Sequence, residues 1–159
     1  MKLKFFLVML FSAFIMQVQA QYYRVSENKV KCIYSDMDGS ITVRATGEGR
    51  KKKDAKEHAM KNAVYAVIFK GVSVDGKAYA NMAAPLIKEH EAEKKYAESL
   101  YPFFQDGGRY LEFVSEEDRR RRSDTKVVKN KVQVMWEFTV RVRRAELLQY
   151  LKDEGIVKY

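Results

Sequence analysis

The residues best placed for chemistry lie in "RATGEGRKKKDAKEHA": Gly47, Gly49 and the cations Arg50, Lys51, Lys52 and Lys53. Glycines that end a strand and lead into a helix can let backbone N–H groups cradle a phosphate. A dinucleotide site needs G-x-G-x-x-G opening a βαβ unit. Here the third position is Lys52, and the neighbouring strands read as antiparallel. The Walker pattern, with Lys then Ser or Thr after its glycines, is absent, so a nucleotide loop is excluded. Two readings stay open for residues 47–53: a site for an anionic ligand or polyanion, and a solvated strand-to-helix bend. Four cations at a helix start oppose the macrodipole, and only Asp54 and Glu57 offset them.

A second basic run, Arg119, Arg120, Arg121 and Arg122, is a candidate interaction surface. Glu116, Glu117 and Asp118 before it and Asp124 after it cancel much of its field, as expected of a charged hairpin tip. Catalytic groups are sparse. His58 and His90 fall on separate predicted helices, and neither H-x-x-x-H nor C-x-x-C spacing occurs. Both histidines read as partly buried structural residues. No serine sits in a nucleophile elbow, and Glu89, Glu91 and Glu93 point to different helix faces. The expectation is a protein that is not an enzyme and carries no cofactor or metal. Cys32 is the single cysteine, which rules out an intramolecular disulfide, and alternation in "KVKCIYS" predicts a buried structural thiol.

The elements that must position these residues follow from periodicity. "NKVKCIYS" and "SITVRATG" alternate around "DMDG", which predicts a hairpin turning at Asp38-Gly39, with Val30, Cys32 and Tyr34 on one face. From Lys52 to Lys70 the period becomes helical, with Ala55, Ala59, Ala63, Ala66 and Val67 on one stripe and Gly71 as the C-cap. A second helix is predicted over 86–101, and a short strand in "RYLEFVS". "KVQVMWEFTVRVR" gives the clearest strand, with Val132, Val134, Trp136, Phe138, Val140 and Val142 inward. "AELLQYLKDEG" is a short amphipathic helix, and "IVKY" is a tail or short edge strand. The order β-β-α-α-β-β-α predicts an α+β domain: an antiparallel sheet of about four strands with helices packed on one face.

Residues 1–20, "MKLKFFLVMLFSAFIMQVQA", have the three regions of a secretory leader: Lys2 and Lys4, an apolar run from Phe5 to Met16, and small residues at Val18 and Ala20. The apolar run is shorter than the roughly twenty residues that span a bilayer. Cleavage after Ala20 leaves residues 21–159 as a single domain. The formal charge is +9, two units of it from the leader lysines. A basic exported protein favours anionic lipid or polysaccharide, and export makes nucleic acid an unexpected partner. Peripheral membrane contact and homo-oligomerisation stay open. The aromatic residues from Tyr96 to Phe113, with Trp136, supply core and a candidate apolar patch for a protein partner.

With the leader, the strand ending in "RATGEG", the helix Ala55-x-x-x-Ala59-x-x-x-Ala63 and Gly71, the chain resembles a group of bacterial envelope domains. These are the N-terminal domain of flagellar assembly protein T and the LPP20-type lipoproteins. "RYLEFVS", "VQVMWEFTVRV" and "AELLQYLKDEGI" are similar to the second half of such domains. The resemblance implies a small α+β module, periplasmic or associated with the outer membrane, that works by binding and assembly. It brings no catalytic residues. The chain departs from the lipoproteins in having no lipobox cysteine. The function expected is therefore an exported, non-enzymatic binding and assembly module of the cell envelope, acting through protein–protein or envelope contacts.

Overall fold

A computed structural model describes residues 30–73, 83–117, 125–129 and 134–158. The leader and Arg119 to Arg122 lie outside the described residues. The first two strands, β1 (Val30–Ser35) and β2 (Ile41–Gly49), form the expected antiparallel hairpin. Its turn closes through Gly39 N–H to Asp36 O (3.2 Å) and Asp36 N–H to Ser40 O (2.9 Å). Gly39 adopts φ +79°, and the Asp38 carboxylate accepts from the Ser40 N–H at 2.9 Å. A left-handed residue after a tight turn is where glycine costs least.

Helix α1 (Lys52–Tyr65) follows β2, and its last turns, Ala66–Lys70, widen to π geometry before Gly71 ends it at φ +75°. Two one-turn helices come next, α2 (Ala92–Lys95) and α3 (Ala97–Leu100). A 3₁₀ turn over Arg109–Phe113 leads into β3 (Val114–Glu116). Then come β4 (Thr125–Lys129), β5 (Val134–Val142) and α4 (Arg144–Asp153).

All pairings among the described strands are antiparallel. β5 lies between β2 on one side and β3 and β4 on the other. β3 meets the C-terminal end of β5 (Val114 opposite Val142) and β4 the N-terminal end (Lys129 opposite Val134). The sheet thus has five strands but is four positions wide, and the class is the α+β arrangement expected. The additional strand comes from residues after Asp124, which sequence reading left between a charged loop and the long strand.

One sheet face carries the core. Ile41, Val43 and Ala45 of β2 and Phe138, Val140 and Val142 of β5 are buried there with Ala55, Ala59 and Ala63 of α1 and with Leu147 and Leu151 of α4. Pairing places Thr42, Arg44 and Thr46 with Arg141, Thr139 and Glu137 on the opposite, polar face. Rings reinforce one end of the core: Phe103 packs against Phe104, Phe113 and Tyr150 at centroid distances of 4.9, 6.0 and 5.3 Å.

Three sequence expectations are corrected. β1 carries a bulge between Cys32 and Tyr34, so Cys32 faces Val43 while Tyr34 pairs with Thr42 on the other face. The helix predicted over 86–101 does not form through its first six residues. Leu86 and Ile87 instead run beside the end of α1 and donate their N–H groups to Val67 O (3.1 Å) and Ile68 O (3.0 Å). Those carbonyls belong to the last four of the helix, which have no partner within it. Glu91, at φ +54°, separates this stretch from α2. "RYLEF" is a 3₁₀ turn rather than strand, and the strand begins only at Val114.

Candidate functional site

The strand–helix junction is built by close approach. A Cβ on Gly47 would lie 1.8 Å from the Ala55 carbonyl oxygen and 2.5 Å from the Ala59 nitrogen; one on Gly49 would lie 2.5 Å from the Ala55 nitrogen. Two glycines facing two alanines let the α1 backbone rest directly on β2 and β5. Both glycines are occupied by this packing.

Arg50, Lys51, Lys52 and Lys53 are all exposed. The Lys51 N–H donates to the Asp54 carboxylate at 3.3 Å, which satisfies one helix-start donor. Lys52 arches back over the sheet, with Nζ 5.2 Å from the Trp136 ring centroid and 5.9 Å from that of Phe138. The junction therefore presents an exposed basic edge with one cation laid on an aromatic ring.

Polar side chains meet on the other side of α1. The Lys61 ammonium is buried (side chain 6% exposed) and reaches the Asp106 carboxylate at 2.6 Å. Its Nζ also lies 5.5 Å from the Tyr110 ring centroid. Glu57 Oε1 accepts from the Gly107 N–H (3.0 Å) and the Tyr110 hydroxyl (3.2 Å). Lys61 holds the Asp106 carboxyl below its ordinary range, chiefly by this hydrogen bond. These contacts pin the 106–110 loop to the helix. Asn62 does the same for the sheet, donating to Thr46 O at 2.6 Å.

His58 and His90, expected to be partly buried, are both exposed. Among the described residues no three His, Cys, Asp or Glu side chains are arranged to hold a metal ion. Cys32 is buried and free, as expected, and burial pushes its thiol up. Among the described residues no helix is long and apolar enough to cross a membrane.

A concavity of about 380 Å³ borders Phe69, Lys70 and residues 89–94. A larger one lies elsewhere, between the 85–89 segment and α4 with the residues after it. It is a half-open groove of about 600 Å³. Leu86, Ile87, Leu148, Ile156 and Val157 supply its apolar lining, and Lys88, Arg144, Lys152 and Lys158 bring four cations to it. One acid, Glu89, lines it. That carboxylate is held by the Lys95 ammonium and the Tyr96 hydroxyl, whose hydrogen bonds keep its acidity above that of an ordinary glutamate.

The groove exists because Leu86 and Ile87 cap α1 instead of starting a helix, and because Gly155, at φ +70°, turns the chain after α4. The Ile156 and Val157 N–H groups then both donate to Leu151 O, at 2.9 and 3.1 Å, folding the tail against the helix. Sequence reading missed this site. The only signal was the spacing Arg144, Leu148, Lys152, which places all three on one helical stripe. Comparison with protein-family models, with curated proteins and with solved structures finds no match to this chain.

Proposed function

We propose that the chain is an exported, non-enzymatic binding and assembly module of the bacterial cell envelope, acting through protein–protein or envelope contacts. The observation that carries this reading is the groove along α4, an apolar trough bordered by four cations. Such a lining suits holding an apolar, anionic surface or ligand, since apolar burial supplies affinity and the cations supply orientation. The clustered titratable groups serve the fold: Glu57, Lys61 and Asp106 are bonded within one loop–helix contact. The leader pattern of residues 1–20 and the resemblance to envelope domains support the same reading.

Fractionation of a Gram-negative host expressing the full chain or a form lacking residues 2–20 tests it. The full chain is expected in the envelope or periplasmic fraction, shortened by the leader, and the leaderless form in the cytoplasm. Leu148→Glu, which puts an acid in the trough, is expected to cut envelope retention at least several-fold. Cytoplasmic accumulation of the full chain, or unchanged retention of the variant, would overturn the proposal.

A further inference from the structure

We infer that the groove along α4 takes a single-chain anionic amphiphile, its head at Arg144 and its acyl chain along Leu148. This rests on the envelope-contact reading and names the ligand class for that site. Arg144, Leu148 and Lys152 repeat every fourth residue, so they form one stripe about 12 Å long on α4. The stripe reads cation, apolar, cation.

Arg144 is the anchor. Its Nη2 donates to Ala84 O at 3.0 Å, which fixes the guanidinium across the groove. Its other guanidinium N–H groups give it more donors than the one spent on Ala84. For such donors on a charged group an anionic oxygen is the strongest acceptor. Arg144 is also the first residue of α4, so the positive end of the helix dipole adds to its field. Lys88, Lys152 and Lys158 extend that field; Glu89, the one acid among the described lining residues, is hydrogen-bonded to Lys95 and Tyr96 and also lies in the field of Lys158.

The tail is an acyl chain rather than a peptide because of the backbone. The Leu86 and Ile87 N–H groups are spent on Val67 and Ile68, and Ala84 O accepts from Arg144. An extended peptide would find no donor for its carbonyls at the Leu86 and Ile87 N–H groups, a cost an acyl chain does not incur. A volume of about 600 Å³ is in the range of small-molecule sites. A free fatty acid and a lysophospholipid share the required chemistry, one chain with one anionic head.

Calorimetric titration of the purified protein decides this, with each amphiphile below its micelle concentration. Dodecanoate and a twelve-carbon lysophosphatidylglycerol separate the two sources. Dodecyltrimethylammonium controls for chain alone, and an acidic-apolar peptide controls for the occupant class. One equivalent of an anionic amphiphile is expected to bind, with the cationic one at least tenfold weaker. Arg144→Gln is expected to weaken binding about tenfold. Lys152→Gln, a half-buried change on the same stripe, is expected to weaken it two- to threefold and serves if Arg144→Gln lowers the melting temperature. Equal binding of cationic and anionic amphiphiles, or wild-type affinity in both variants, overturns the inference. So does binding of the peptide alone. Fractionation of the same variants separates the two failures: an envelope-retained protein that ignores both anionic amphiphiles loses the ligand assignment and keeps the envelope role.

Discussion

The Ala55 carbonyl oxygen lies where a side chain on Gly47 would have to be, 1.8 Å from an ideal Cβ. The neighbouring atom is helix backbone, so relief requires moving α1 off the sheet. Gly47→Ala is expected to cost at least about 3 kcal/mol, the upper part of the overpacking range. For a domain of this size that is roughly a 6–12 °C fall in melting temperature. Gly49→Ala should also destabilise, but less, because its closest contact is at 2.5 Å. Thermal denaturation of both variants checks the order; a stable Gly47→Ala protein would contradict the packing.

Lys61 and Asp106 link stability to pH. The folded-state pKa of Asp106 is lowered by the Lys61 hydrogen bond and charge. A depressed carboxyl pKa contributes stability that is present above the unfolded-state value and lost as pH falls through the folded-state value. The Asp106 contribution should therefore be complete at pH 7 and fade below about pH 4. Asp106 is largely exposed, so solvent screening holds the effect of Asp106→Asn at pH 7 to about 1 kcal/mol. Urea midpoints at pH 7 and pH 3 should show the wild-type advantage shrinking with acid. A constant difference would mean that the charge of Asp106 does not matter.

What the sequence reveals and what it hides divide along local and non-local lines. The alanine stripe from Ala55 to Ala66, the Asp38-Gly39 turn and the alternation of β5 are local periodicities, and each element appears where its period predicts, Val132 of the predicted β5 stripe lying outside the described residues. The bulge at Cys32/Tyr34 interrupts a perfect alternation, because pairing with β2 rather than side-chain pattern sets that register. Leu86 and Ile87 lie within the predicted 86–101 helix, yet carbonyls at the end of α1 draw their N–H groups away. The groove is hidden for the same reason. Its two walls are remote in sequence, and no pattern in either announces the other. In the junction, the glycines read as a candidate phosphate cradle or a bend, and helix backbone occupies the space beside both.

Cys32 should be silent to reagents in the folded protein. Its side chain is buried, and burial raises the thiol pKa, so little thiolate is present or reachable. Labelling with a thiol-reactive chromophore is expected to be slow in buffer, following opening of the fold, and complete within minutes in denaturant. Rapid stoichiometric labelling of native protein would show that β1 opens readily at its edge of the sheet.

The basic edge of the junction separates charge from packing. Lys51 and Lys53 sit at the start of α1, where the macrodipole repels cations, so removing both should raise stability by about 0.5 kcal/mol. Lys52 differs because its ammonium rests over Trp136, and Lys52→Ala should cost about 0.5–1 kcal/mol. The triple variant should then be close to neutral in denaturation. The same triple variant tests whether residues 47–53 bind an anionic ligand or polyanion. With Gly47 and Gly49 filled by α1, the cations can act only as exposed charges, so polyphosphate should bind weakly and lose affinity steeply with salt. The triple variant should lose most of that binding while Arg144→Gln retains it. Salt-insensitive binding that survives loss of the three lysines would show that a polyanion is held elsewhere on the protein.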